Sequence, residues 1–313
     1  VSNGPCASGT TTDLVSIFVY DDQQAEADAG GDIEICTPAS EVTLSGNAAA
    51  FPAEGFWFQV SGFGAITDPS DAATTVTGLP VGEHVFQWNI ANGPCGTTDD
   101  EVRVRVFDAN NPVADAGPDQ QLCTPQTSTV MAGSSLIFPA TGQWTLVSGQ
   151  GSITDPSSPT TAITGLAVGE NVFEWTVSNG PCAAPTVDRV SLFVFDADNA
   201  AAAAGQDQDL CTPTNITTLF GNAPIFPATG QWTLVSGQGT ITSPESPTTT
   251  VTDLGVGINV FRWTVSNGPC ANGLTQDEVT IFLFDLNNPS ASAGADQELC
   301  TPQTSTNLQG NTP

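Results

Sequence analysis

The sequence predicts an all-β protein built as a tandem array of sandwich domains, and three observations lead to this fold class. The first is a repeat: four Asn-Gly-Pro-Cys motifs, here called the NGPC turns, place Cys6, Cys95, Cys182 and Cys270 at steps of 89, 87 and 88 residues. The second is a pattern of short strands inside each repeat. The third is a pair of tryptophans at matching positions. Self-similarity at a fixed period is the signature of a repeat architecture.

A second cysteine series shares the period and helps to place the boundaries. It occurs in Ile-Cys-Thr-Pro or Leu-Cys-Thr-Pro segments, here called the CTP segments, at Cys36, Cys123, Cys211 and Cys300. The segment GQWTLVSGQG is identical at Gly142–Gly151 and Gly230–Gly239. The predicted complete repeats are units 1, 2 and 3, at 25–112, 113–200 and 201–289. Residues 1–24 and 290–313 are expected to be parts of truncated repeats, so the chain is predicted to be a section of a longer polymer of domains.

Each repeat has the pattern of β-strands throughout. QWTLV, TTAIT and NVFEWTV alternate apolar and polar residues and favour β-branched or aromatic ones. Gly, Pro, Asn and Ser interrupt these runs at short intervals. About seven short strands in roughly 88 residues are typical of an immunoglobulin-like β-sandwich.

The tryptophans are predicted to fill the cores of these sandwiches. They alternate in phase with apolar neighbours, which disfavours the other interpretation, exposed rings that stack on sugars. The six predicted core residues are Trp57, Trp88, Trp144, Trp175, Trp232 and Trp263.

Composition excludes several classes of partner. The 313 residues include 33 acidic side chains but only four basic ones, all arginine, which gives a formal net charge of −29. Nucleic acid is excluded as a partner, because phosphate binding needs a basic surface.

No apolar run is long enough for a transmembrane segment. Eight cysteines without a Cys-x-x-Cys motif, beside a single histidine, favour disulfides and an oxidising compartment.

Several motifs together resemble a known class of repeats. They are AGPDQQLCTP at Ala116–Pro125, TGQWTLVSGQG, the stretch from Thr248 to Cys270, and the strand that begins Asp-Glu-Val. These motifs resemble the immunoglobulin-like and PKD-like repeats of very large surface proteins of Bacteroidetes-type bacteria, such as gliding-motility adhesins. WTLVSGQG replaces the WDFGDG-type motif of PKD domains. The resemblance implies an extracellular protein secreted by the type IX route.

Two disulfide pairings fit the spacing. Pairing within a unit gives Cys36–Cys95, Cys123–Cys182 and Cys211–Cys270, each 59 residues apart, and leaves Cys6 and Cys300 to partners beyond this stretch. Pairing between neighbouring motifs gives Cys6–Cys36, Cys95–Cys123, Cys182–Cys211 and Cys270–Cys300. We favour the first, because a bridge across a linker requires the ends of two domains to meet.

No catalytic constellation is visible in the sequence. His84, the single histidine, aligns with Asn171 and Asn259 in a turn and is predicted to be structural. No nucleophile motif, zinc motif, P-loop or dinucleotide-binding motif occurs. We therefore predict a protein that is not an enzyme.

The remaining candidate site is acidic and lies at the junctions between units. Oxygen side chains stand at alternate positions there, in the pairs Asp108 and Asn110, Asp196 and Asp198, and Asp285 and Asn287. Such spacing suits a hard cation such as Ca²⁺, and the sequences are similar to cadherin linkers. A solvated linker that binds nothing is the alternative. No other cofactor is expected.

The predicted function is structural. We expect a section of an extracellular filament, stalk or adhesin at the cell surface, whose partners are neighbouring repeats of the same longer chain, with self-assembly into filaments as a further prospect. The alternative is an array of carbohydrate- or other ligand-binding modules, motivated by threonine-rich strands at Thr160–Thr164 and Thr248–Thr252.

Overall fold

Three β-sandwiches follow one another along the chain, and each contains seven strands. The structure is a computed structural model that describes residues 12–312. Unit 1 contains β1 (Ile33–Cys36), β2 (Glu41–Thr43), β3 (Glu54–Ser61), β4 (Ala65–Ile66), β5 (Thr75–Thr77), β6 (Gly82–Ala91) and β7 (Thr97–Phe107). Unit 2 contains β8 (Gln120–Cys123), β9 (Thr129–Val130), β10 (Thr141–Ser148), β11 (Ser152–Ile153), β12 (Ala162–Thr164), β13 (Gly169–Ser178) and β14 (Thr186–Phe195). Unit 3 contains β15 (Gln208–Cys211), β16 (Thr217–Phe220), β17 (Thr229–Ser236), β18 (Thr240–Ile241), β19 (Thr248–Thr252), β20 (Gly257–Ser266) and β21 (Leu274–Phe284).

Every unit consists of a four-stranded and a three-stranded sheet. In unit 1 the strand orders are β1-β7-β6-β3 and β2-β5-β4, and units 2 and 3 repeat both orders. The first strand runs parallel to the last, with Cys36 beside Phe107, whereas the other pairs are antiparallel. This is an immunoglobulin-like, PKD-like sandwich, so the predicted all-β tandem fold is confirmed. The predicted unit boundaries each enclose one such pair of sheets.

The tryptophan pairs lie at the centres of the three cores. Trp57 and Trp88 are cross-strand partners on β3 and β6, with ring centroids 5.0 Å apart, and all six tryptophans are buried. Gly55 lies so close to Trp88 that a Cβ atom there would be 2.2 Å from the indole ring. The glycine two residues before each first tryptophan therefore makes room for the second.

His84 has the structural role that its alignment predicted. It is 2% exposed; its Nδ1 accepts the Phe63 N–H at 2.9 Å, and its Nε2 lies 2.8 Å from the Pro80 carbonyl oxygen. Asn171 makes the same two bonds in unit 2, because its Oδ1 accepts the Gln150 N–H and its Nδ2 donates to the Ala167 carbonyl.

The truncated repeats carry no strand in their described parts. Leu14 and Ile17 are 95% and 82% exposed, which leaves exposed apolar side chains before unit 1. Across residues 12–312, no helix is long and apolar enough to cross a bilayer.

Candidate functional site

The junction between successive units brings the two cysteine series together. Cys36 of unit 1 is bonded to Cys182 of unit 2, and Cys123 of unit 2 is bonded to Cys270 of unit 3. The Cα–Cα distances are 5.5 and 5.2 Å, and the separations along the chain are 146 and 147 residues. Each bond joins the CTP segment of one unit to the NGPC turn of the next unit. Neighbouring units therefore have two covalent connections, the linker and the disulfide.

The predicted pairing within units is wrong, as is the alternative between neighbouring motifs. The CTP cysteine of unit 1, Cys36, lies beside Phe107 at the end of β7, whereas the NGPC turn with Cys95 precedes the start of β7. A strand of 11 residues separates these ends by roughly 30 Å. A disulfide requires Cα atoms within about 7 Å. Cys36–Cys95, Cys123–Cys182 and Cys211–Cys270 therefore cannot form in this fold, and end-to-end stacking supplies a partner from the next unit instead.

The NGPC turn is shaped to meet the preceding unit. Gly180–Cys182 forms one turn of 3-10 helix, and Gly180 has φ +52°, a region that favours glycine. A Cβ atom on Gly180 would lie 2.6 Å from the ring of Phe107. The side chain of Asn179 donates from Nδ2 to the Asp108 carbonyl oxygen at 2.9 Å. The turn thus covers an aromatic ring of the preceding unit and donates a hydrogen bond to one of its carbonyl groups.

The same contacts recur at the next junction. Gly268 packs on Phe195, and Asn267 donates to the Asp196 carbonyl oxygen at 2.8 Å. Phe195 forms a small apolar cluster with Ala228 and Cys270. Phe107 and Phe195 are 4% and 7% exposed, whereas the equivalent Phe284, which is not followed by an NGPC turn in this sequence, is 47% exposed. The exposure of this ring therefore reports whether a following unit is docked.

A second segment of unit 2 contacts the end of unit 1. Phe138 and Pro139 line a cavity of about 380 Å³ between the units, together with Phe107, Arg105 and Glu83. Arg105 donates from Nε to a Glu83 carboxylate oxygen at 2.8 Å, and this bond raises the pKa of Arg105. The arginine thus stays charged at a junction whose other ionisable lining residues are acidic.

Carboxylates hold the linker in a defined conformation. The Asp188 carboxylate of unit 2 accepts the Ala116 N–H at 2.8 Å, and the Asp119 carboxylate accepts the Ser191 N–H at 2.8 Å. The side-chain oxygen of Asn111 accepts the Ile137 N–H at 2.8 Å. Hydrogen bonds to charged acceptors are the stronger kind. Some of the many acidic side chains therefore accept hydrogen bonds from backbone N–H groups.

The residues of the predicted calcium site have such a local role. The Asp108 carboxylate accepts the Asn110 N–H at 2.8 Å, and Asp196 and Asp285 accept the corresponding N–H groups at 3.0 and 2.9 Å. In each pair, the second residue therefore contacts the carboxylate of the first through its backbone N–H group. These second residues are Asn110, Asp198 and Asn287. Within residues 12–312, no group of three or more His, Cys, Asp or Glu side chains is arranged to hold a metal ion.

Three cysteines of the described part of the chain carry free, exposed thiols: Cys95, Cys211 and Cys300. Cys211 lies beside Phe284 in the register that Cys36 and Cys123 have beside Phe107 and Phe195. Cys6, predicted to pair beyond this stretch, lies outside the described residues.

The aromatic partner of the NGPC turn was missed by sequence reasoning. A signal for it exists, because an aromatic residue followed by aspartate recurs at Tyr20, Phe107, Phe195 and Phe284, and in the three complete units it ends the last strand. Its period matches that of the cysteines.

Comparisons with known proteins were made by family, by sequence and by structure. No protein family profile matches the chain. The dyslexia-associated protein KIAA0319 homolog of Mus musculus is 24% identical over 303 residues, and the match covers 89% of this chain. The chain spans only 28% of that protein.

Two solved structures are among those to which the chain is similar. A PKD domain of human KIAA0319 is 25% identical, covers 29% of this chain and 86% of its own, and has a TM-score of 0.25. Dpr2 Ig1-Ig2 in complex with DIP-Theta Ig1-Ig3 is 13% identical, covers 83% of this chain and 100% of its own, and has a TM-score of 0.47. This chain combines immunoglobulin-like sandwich domains with disulfide bonds between successive units.

Proposed function

We propose that the chain is a structural section of an extracellular filament, stalk or adhesin, of the kind found in the large surface proteins of Bacteroidetes-type bacteria, and that it has no catalytic role. The observation that carries this proposal is the disulfide between units, which occurs with the same partners at both junctions. Its partners are neighbouring repeats of the same longer chain.

The mechanical argument follows from the number of connections. Two sandwiches joined by a single linker can swing about it, and relative motion of domains is the usual expectation. A second covalent connection, placed beside the ring of Phe107, removes that hinge. The carboxylate-bound linker and the bond from Asn179 to the Asp108 carbonyl restrict it further. The array behaves as a stiff rod instead of a string of independent beads.

The free cysteines extend this scheme. Cys95, Cys211 and Cys300 occupy the same places in their units as the bonded cysteines. We propose that each pairs with a cysteine of a further unit, so that every junction of the array is closed in the same way. The exposed ring of Phe284 supports this, because its equivalents are covered by an NGPC turn.

Electron microscopy and small-angle X-ray scattering test the proposal. Sandwiches whose longest strands have 10–11 residues give a step of roughly 40 Å per unit once the turns are included. We expect straight particles with three beads at that step under oxidising conditions. A globule in which the units pack side by side would contradict the proposal.

The calcium interpretation of the acidic linkers stays a prediction. If these linkers bind Ca²⁺, melting temperature and scattering profile should differ between calcium and a chelator. Identical curves would remove calcium from the scheme and leave the disulfides as the source of stiffness.

A further inference from the structure

Unit 1 contains a groove that is larger than the corresponding grooves of units 2 and 3. Its volume is about 960 Å³, within the range of small-ligand sites, and it lies where β3 and β6 meet the loops that precede β3 and β5. The walls include Ala49, Ala72, Phe56 and Phe58, and one edge of Trp88 closes the groove.

The size of the groove results from small side chains at two positions. The equivalents of Ala49 are Leu136 in unit 2 and Pro224 in unit 3, and the equivalents of Ala72 are Pro159 and Pro247. In unit 2, Leu136 packs against the core. The corresponding cavities of units 2 and 3 measure about 380 and 510 Å³.

Two exposed aromatic rings form the other wall. Phe56 and Phe58 are 42% and 49% exposed, with ring centroids 4.9 Å apart. Their equivalents are Gln143 and Thr145 in unit 2, and Gln231 and Thr233 in unit 3. Units 2 and 3 form the same sandwich with those polar residues, so the fold does not require the rings. Neighbouring exposed apolar side chains without a structural role mark an interaction site.

The polar lining indicates the kind of ligand. Asn89, Ser70 and Thr97 contribute neutral amide and hydroxyl groups, and Asn89 lies directly across the strand pair from Phe56. Amides and hydroxyls can each donate and accept, which suits a ligand rich in hydroxyl groups. The one charged residue of the lining is Glu54. With a net charge of −29 on the chain, an anionic ligand is repelled.

We propose that this groove binds a neutral glycan, whose sugar rings stack on Phe56 and Phe58 while Asn89 and Thr97 hydrogen-bond to their hydroxyl groups. This site would make unit 1 the adhesive element of an otherwise structural section. The site is independent of the junctions. The proposal of a stiff rod and the proposal of a glycan site can therefore each hold or fail separately.

Affinity electrophoresis of the whole 313-residue protein tests the site, in gels that contain starch, laminarin, mannan, galactan or hydroxyethyl cellulose, with alginate as the anionic comparison. The natural chain should be retarded by at least one neutral polysaccharide and not by alginate. The double substitution Phe56→Gln with Phe58→Thr gives unit 1 the residues of unit 2. It should weaken binding by about tenfold or more, since removal of a central aromatic contact has effects of that size.

Two further variants make the test specific. Ala49→Leu reproduces the filled groove of unit 2 and should also weaken binding. Thr145→Ala, at the equivalent of Phe58 in unit 2, should leave it unchanged. Near-ultraviolet circular dichroism confirms that each variant is folded. Retardation by none of the neutral polysaccharides, equal retardation of the natural chain and the Phe56→Gln, Phe58→Thr variant, or retardation by alginate alone would overturn the proposal; the last would point to an anionic partner.

Discussion

The glycine of each NGPC turn is needed for two separate reasons. Gly180 has a positive φ, and a Cβ atom at that position would collide with the ring of Phe107. A left-handed conformation alone disfavours a side chain by roughly 1–2 kcal/mol. The collision adds a cost that falls on the junction, because Phe107 belongs to the preceding unit.

We therefore expect Gly180→Ala to lower the stability of the protein by more than that conformational cost. Gly165→Ala is the matched control, since Gly165 also has positive φ, at +69°, but has open space where the Cβ atom would go. Thermal or denaturant unfolding of the two variants measures the difference. Equal losses would show that the contact with Phe107 contributes nothing.

At His84, we expect substitution by asparagine to be tolerated. Units 2 and 3 already place asparagine there and make the same two hydrogen bonds. His84→Asn should change the free energy of unfolding by less than about 1 kcal/mol, whereas His84→Leu should destabilise the protein because it leaves the Phe63 N–H, which makes a partly buried hydrogen bond, without its acceptor. Similar losses for both substitutions would contradict this account.

At the scale of strands and turns, the fold was predictable and the disulfides were not. Alternation in strands such as β13, the tryptophan pairs and the repeat period determine the sandwich locally. The pairing depends on a tertiary feature, the parallel pairing of β1 with β7, which carries Cys36 to the end opposite the NGPC turn. In a tandem repeat, any regular pairing has constant spacing. Spacing therefore could not distinguish a bond within a unit from one between units.

Loss of one disulfide should act on one junction. The double substitution Cys36→Ser with Cys182→Ser should broaden the distribution of maximum dimensions in scattering, because units 1 and 2 regain a hinge. Cys95→Ser removes an exposed free thiol and serves as the control. An unchanged distribution in the double variant would show that the non-covalent contacts alone fix the junction.

The turn that follows β11 in unit 2 carries a pH-dependent contact. Hydrogen bonds from the Ser157 hydroxyl and N–H lower the pKa of Asp155. A carboxyl whose pKa is lowered by folding stabilises the fold above its unfolded pKa, and this contribution is lost as the pH falls through the folded value. Ser157→Ala should raise the pKa of Asp155, as followed by NMR titration of its carboxyl carbon. A pKa that does not change would contradict the hydrogen bond.

At the scale of the whole molecule, we expect the proposed stiffness to arise from repetition of one junction. Each unit presents an aromatic ring, a carbonyl group and a cysteine at one end, and an NGPC turn with its own cysteine at the other. Because the two ends are complementary, the same contact can repeat from unit to unit. Successive units are therefore covalently joined twice, by the linker and by a disulfide.

Peptide mapping without reduction tests this claim most directly. After free thiols are blocked, an aspartate-specific protease separates all the relevant cysteines; Asp155, for example, lies between Cys123 and Cys182. Mass spectrometry should then find Cys36 linked to Cys182 and Cys123 linked to Cys270. A peptide that joins Cys123 to Cys182 would place the disulfide inside a unit and contradict the account.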